Sequence, residues 1–344
     1  MQHRMLQAGP LLSDSGELVE AGYAHRLIKR YEREKIKAHP FKIKEWDYYL
    51  IANDYCALAL TMADNGYMGL DSLSLLDFAA PMEKTTSRML WFTKGKRNLP
   101  ADSAAGTIRG LGKQYEMTFR TLGDKRHLYG HMYDFGGPGK PLLFDIILHS
   151  PEQDSMVIAT PFAEKATAFY YNQKINCMPA DGRVIYDDKE YLFSPAASFG
   201  VLDWGRGVWT YNNTWYWSSA SGIVDGLRFG FNFGYGFGDT SAASENMLFY
   251  DGIAHKLEEV QFHITMVNGR ENYMAPWTIT DNRDRVRLSF QPIIDRAADT
   301  NFVLLRSDQH QIFGRFSGTV KLDTGRVLQI NNLIGFAEKV HNKW

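Results

Sequence analysis

Between residues 203 and 252 the chain sets carboxylates among indole rings, a combination suited to moving protons. Asp203-Trp204-Gly205-Arg206-Gly207-Val208-Trp209 opens this stretch and Trp215-Tyr216-Trp217 follows, so four of the eight tryptophans fall between 204 and 217. A carboxyl pressed against aromatic rings loses hydration, its pKa rises, and it becomes a proton donor near neutrality. On this ground Asp203 and Glu245 are the candidate acid–base residues. Trp209 and Trp217 would supply flat apolar walls, and Arg206 would orient the polar end of a ligand. Arg228, Asn232, Asn246 and His255 complete the candidate ligand-binding set. A charge interleaved with tryptophan must be paired or face a wet pocket, so Asp203 and Arg206 could equally pair with each other. Asp239, in Gly238-Asp239-Thr240-Ser241, reads as a turn carboxylate.

Other chemistries fit less well. Glycines 230, 234, 236 and 238 superficially suggest a dinucleotide loop. They alternate with aromatic residues inside a strand, whereas such a loop must open a helix. Ser218-Ser219-Ala220-Ser221-Gly222 lacks the glycine that a nucleophile elbow needs before its serine. His127 and His131 are four apart, a zinc spacing on a helix but about 13 Å apart on the strand their neighbours suggest. Cys56 and Cys177 are the two thiols and form no CxxC pair, so both are expected reduced and buried. No metal and no cofactor are expected. The net charge is −1, which offers no field to attract nucleic acid.

The elements that must carry these residues are strands. Val260, Phe262, Ile264 and Met266 alternate with polar residues, as do Val286, Leu288 and Phe290, and Ile312, Phe316, Val320 and Leu322. Leu111, Tyr115, Met117 and Phe119 are expected on one buried side. A period of two over many segments means antiparallel strands with one buried face. Hairpin turns are expected at Asn65-Gly66, Gly123-Asp124, Asp181-Gly182, Asp251-Gly252, Asn268-Gly269 and Asp323 to Gly325. Arg26 to Lys37 reads as a short exposed helix or an irregular arm with a solvated face. From Leu227 to Phe237 one face is aromatic and the other largely glycine, which calls for a closely approaching backbone, sheet or ligand. Aromatic residues make up 14% of the chain, well above ordinary usage and favourable to sheet packing. The fold class is therefore all-β, with two antiparallel lobes: 1–195, and 196–344 as a lipocalin-like barrel. No signal-peptide core and no run of 18 apolar residues is present, so a cytoplasmic protein without an integral membrane segment is expected. The sequence does not fix its oligomeric state.

Several segments carry a family resemblance: Lys44-Glu45-Trp46-Asp47-Tyr48-Tyr49, Ala63-Asp64-Asn65-Gly66-Tyr67, Asp203 to Trp209 and Trp215 to Gly222. Gly234 to Asp239, Ser244-Glu245-Asn246 and Gly335 to Trp344 continue it. Together they make the chain resemble the family called domain of unknown function 2804, a resemblance that transfers no catalytic residue. More distantly, the layout is similar to calycin-like two-lobed β proteins such as carotenoid hydratases and related cyclases, which implies a pocket for a hydrophobic molecule. The expected function is binding of a lipid- or isoprenoid-like molecule in an aromatic-lined β-barrel pocket, with acid–base hydration, isomerisation or cyclisation. A non-catalytic carrier or sensor is the second reading. Carbohydrate binding or glycoside cleavage is the third, since tryptophan faces stack on sugars and paired carboxylates cleave glycosides.

Overall fold

Alternation and short turns resolve into two curled antiparallel sheets in the computed structural model, which describes residues 2–302 and 305–343. The first sheet has thirteen strands among the described residues and the second nine. At the centre of the first, Phe199–Val208 lies between Ile43–Ala52 and Lys165–Tyr186, and Cys56–Asp64, Met68–Asp77 and Met82–Trp91 follow outward to an edge. The second is built on Leu227–Tyr235, Asn212–Val224, Val327–Lys343, Leu305–Lys321 and Val286–Phe302 in that order. The all-β, two-lobed architecture is thus as expected. Strand Phe199–Val208, which follows the expected seam at residue 196, belongs to the first sheet, and the chain enters the second at Asn212.

Three apolar clusters hold this together. One fills the first lobe around Tyr49, Leu58, Met117, Tyr171 and Trp204. A second fills the other lobe, where Phe229, Phe231 and Phe233 meet Trp277, Phe290 and Phe316. Phe231 stacks on Phe233 at 4.2 Å and meets Phe316 edge-on at 5.1 Å. The third joins the lobes: Tyr48, Leu50 and Ala59 of the first sheet, with Phe78 in the turn after Met68–Asp77, pack on Trp217, Phe313, Ile334 and Phe336 of the second. Ile43–Ala52 therefore buries both faces, one in its own lobe and one between lobes, which explains the continuous apolar run Tyr48 to Ala52 at its end.

Five of the expected turns fall where the sequence puts them, but Asp181-Gly182 does not turn. Gly182 sits within Lys165–Tyr186, at φ +134, opposite Ile146. A Cβ there would lie 2.1 Å from the Asp145 carbonyl oxygen, so close backbone approach, not a hairpin, requires this glycine. Leu111 also departs from expectation. It is the penultimate residue of the strand Gly106–Gly112 and stands 63% exposed, because the chain turns before Tyr115 starts the next strand. Arg26 to Lys37 is an irregular arm with a single 3-10 turn, Arg33–Lys35. No helix among the described residues is long and apolar enough to cross a membrane.

Candidate functional site

Register, more than sequence proximity, assembles the site. In the first sheet Lys174 lies opposite Asp203, Asp203 opposite Tyr48, Tyr48 opposite Thr61, Thr61 opposite Ser72, and Ser72 opposite Ser87. Side chains directly opposite in a ladder share a face, so these six form one polar row across the sheet. In the second sheet Gly234 lies opposite Trp217, Trp217 opposite Glu338, Glu338 opposite Gln311, and Gln311 opposite Arg296. The side chains of both rows line a cavity of about 340 Å³ between the lobes.

Its apolar walls are an aromatic cage. Trp46 stacks on Tyr170 at 6.0 Å, and Trp209 meets Trp46 edge-on at 5.2 Å. Phe237 closes the corner at 4.9 Å from Tyr170, 4.8 Å from Trp209 and 5.4 Å from Trp215. Small residues of the first sheet, Thr61, Ala63, Ser72 and Ser87, leave the space that these rings surround.

Five charged side chains line this space: Lys174, Asp203, Glu245, Arg296 and Glu338. Lys174 Nζ is 2.9 Å from Asp203 Oδ1 and 4.0 Å from the centre of the Trp217 ring. Asn172 also donates to Asp203 Oδ1, at 2.6 Å. Glu338 accepts from Trp215 Nε1 and Gln311 Nε2, both at 2.9 Å. Burial pushes its carboxyl from 4.5 up to about 7, against the lowering effect of the Trp215 hydrogen bond and of Arg296 and Lys174. Glu245 reaches the cavity through the gap left by Gly234, where a Cβ would stand 2.5 Å from its carboxyl carbon. Burial raises its pKa too, and Lys174 opposes the shift. Tyr48 and Tyr170 complete the polar rim, with burial raising both phenols, Tyr48 to about 12. Near neutrality the cavity therefore offers a partly protonated acid, an ion pair and neutral phenols within aromatic walls.

Of the residues expected from sequence, Asp203, Glu245, Trp209 and Trp217 line the cavity. Asn232 stands behind it, accepting from Trp217 Nε1 at 2.7 Å and donating to the Glu245 carbonyl oxygen at 2.9 Å and to its carboxylate at 3.4 Å. It positions both. Asn246 lies outside the cavity lining and ties the Gly234 amide (2.8 Å) to the Glu258 carbonyl (3.1 Å). Arg206, three residues from Asp203, points to the opposite face of its strand. It is fully buried in the first lobe, donating to Asp47 and to the Trp46, Gly205 and Pro100 carbonyls. Arg206 and Asp203 therefore do not pair with each other. Arg228 bonds Gln153 at the lobe seam (3.0 Å), and His255 pairs with Asp323 (3.3 Å); neither lines the cavity. Asp239 caps its own turn through the Ser241 amide. The aromatic and glycine faces of Leu227–Tyr235 are occupied by the protein itself. The rings fill the second lobe, and Cys177 and Glu245 occupy the room beside Gly230 and Gly234.

Sequence reading missed Glu338, Lys174, Gln311, Arg296, Trp46 and Tyr48. Three of these, Trp46, Tyr48 and Glu338, lie in segments that carry the family resemblance, which was the available signal. His127 and His131 are on the strand Lys125–Met132, and His127 pairs with Asp145.

Solved structures share the fold. Kievitone hydratase from Nectria haematococca superposes with a TM-score of 0.53 at 10% identity, covering 88% of each chain. An AttH-like protein from Nitrosomonas europaea gives 0.55 at 11% identity, covering 92% of this chain and 97% of its own. No curated protein matches the sequence. The profile of one family matches residues 2–344, and the chain belongs to that family, Domain of unknown function (DUF2804).

Proposed function

We propose that the inter-lobe cavity binds a small, predominantly apolar molecule and acts on it by acid–base chemistry, with Glu338 as proton donor. The observation that supports this reading is the facing of the two rows: a raised-pKa carboxyl on one wall and the Lys174–Asp203 pair on the other, inside an aromatic cage. A carrier of apolar molecules has no need of such a titratable wall.

For addition of water to an alkene, Glu338 gives its proton to one carbon and leaves a cation at the other. The surrounding π faces of Trp46, Tyr170 and Trp215 favour positive charge. Water then adds to the cationic carbon and loses a proton to Asp203, so that one molecule of water is gained overall. Loss of a neighbouring proton to Asp203 instead of water addition gives isomerisation, and attack by a second double bond, followed by loss of a proton to Asp203 from the new cation, gives cyclisation. Lys174, 2.9 Å from Asp203 Oδ1, holds that carboxylate on the wall where the proton acceptor is needed. The name of kievitone hydratase, a neighbour in fold, is in keeping with water addition.

The test is to purify the protein from its host and examine it by native mass spectrometry, then incubate it with host lipid extract in heavy-oxygen water. A co-purifying apolar molecule, and a product carrying heavy oxygen or an isomeric product that Glu338→Gln does not form, is the expected result. A protein that is bare and leaves the extract unchanged contradicts the reading.

A further inference from the structure

The open side of the cavity is lined by Thr85 and Ser87, exposed on Met82–Trp91, the edge strand of the first sheet. The same face of this strand continues to Met89 and Trp91, 55% and 62% exposed, and Phe92 beside them is 60% exposed. One further row along a strand is about 7 Å, so these apolar side chains begin where the cavity lining ends.

Their exposure is built in. Buried Asp64 gathers the surrounding loops, accepting from the Gly66 and Gly95 amides (each 2.9 Å) and from Thr93 Oγ1 (2.7 Å). Phe92 and Lys94 are held at φ 56 and 51, left-handed conformations that cost energy for such side chains and persist where surrounding structure enforces them. The result turns Phe92 outward, with Phe41 6.0 Å from it and Lys94 above the Phe41 ring.

Charge around this patch is one-sided. Segments 33–44 and 89–98 carry eight Lys and Arg residues and Glu34, in a chain of net charge −1; of the acids bordering them, Glu45, Asp64 and Asp71 are buried and Glu32 is half-buried. Arg33, Lys35 and Arg97 are consumed in ion pairs with Glu45, Asp14 and Asp71, and Lys44 is buried. Lys37, Lys42, Lys94 and Lys96 are exposed. Exposed aromatic side chains with exposed lysines in the adjoining segments, Lys94 among them above the Phe41 ring, match the interface of a bilayer carrying anionic lipid, where rings enter the headgroup boundary and lysines meet phosphates.

We propose that the patch formed by Met89, Trp91, Phe92 and the neighbouring lysines docks the protein on an anionic lipid bilayer, with the mouth of the cavity turned toward the membrane. This rests on the patch and its position and holds whether or not the cavity performs chemistry.

Flotation of the full-length protein with phosphatidylcholine vesicles, with and without phosphatidylglycerol, tests it. Binding is expected with phosphatidylglycerol and is expected to weaken at high salt. Lys94→Glu with Lys96→Glu should weaken it by at least ~25-fold, at about five-fold per lysine near the surface. Trp91→Ala with Phe92→Ala should weaken it about ten-fold or more. Tyr55→Ala, which removes an exposed ring elsewhere, should leave it unchanged, and thermal melts confirm that the variants fold. No vesicle binding, equal binding to neutral vesicles, or binding that survives both patch variants overturns the proposal. So does sedimentation showing that the patch variants abolish only self-association.

Discussion

Aromatic rings line both the interior of the second lobe and the space between the lobes, yet they meet different fates. In the second lobe Phe229, Phe231 and Phe233 face Trp277, Phe290 and Phe316, and ring meets ring from both sides until the volume is full. Between the lobes the rings of Trp46, Tyr170 and Trp215 stand beside a first-sheet surface of Thr61, Ala63 and Ser72, and a cavity remains. Aromatic content alone does not make a pocket. Space appears where large residues on one strand oppose small ones on the next, and chemistry appears where register adds a polar row to each wall.

That contrast can be broken by mutation. Glu338→Gln should leave the fold intact and lower turnover by ~10²–10⁴-fold, the usual contribution of a positioned acid, measured as product formation from host extract. Phe231→Ala should do the reverse, costing about 3–5 kcal/mol of stability by chemical denaturation with no separate binding defect. Trp209→Ala, at the cavity wall, should weaken ligand binding more than it lowers stability. Arg206→Ala should also cost about 3–5 kcal/mol, because Asp47 would be left buried and unpaired. An effect of Arg206→Ala on binding alone would instead bring that residue back to the site.

A smaller effect concerns pH. The Glu338 carboxyl binds its proton more tightly in the folded protein, about 7 against an ordinary 4.5, so folding takes up a proton between these values. Its contribution to stability is therefore most favourable below pH 4.5 and falls as pH rises to about 7, by roughly 3 kcal/mol. Wild type should lose stability relative to Glu338→Gln across that window, as read from paired denaturation curves. Asp239→Ala should be the mildest change, about 1 kcal/mol or less, since it removes one exposed turn hydrogen bond.

Much of the fold was legible because alternation and turn residues act locally, and Asp203, Glu245, Trp209 and Trp217 were legible because one short stretch carries them. The rest of the site depends on register between strands far apart in sequence. Lys174, Asp203 and Tyr48 come from three strands, as do Glu338, Gln311 and Arg296, and no spacing along the chain announces that they share a face. Arg206 is a different case. Residues three apart on a strand point to opposite sides, so the alternation that identified the strand also separates Arg206 from Asp203. The glycines opposite the aromatic face marked close approach correctly, but what approaches is Cys177 and Glu245.

The central claim is that a guest enters between the lobes and not within the second one. Native mass spectrometry of the host-purified protein beside its Thr61→Trp and Phe231→Leu variants tests this directly, since the first plugs the inter-lobe space and the second opens room in the second-lobe interior. Loss of the bound mass from Thr61→Trp, with its retention in Phe231→Leu, is the predicted result. A guest that persists in Thr61→Trp and disappears from Phe231→Leu would place the site inside the second lobe and contradict the account.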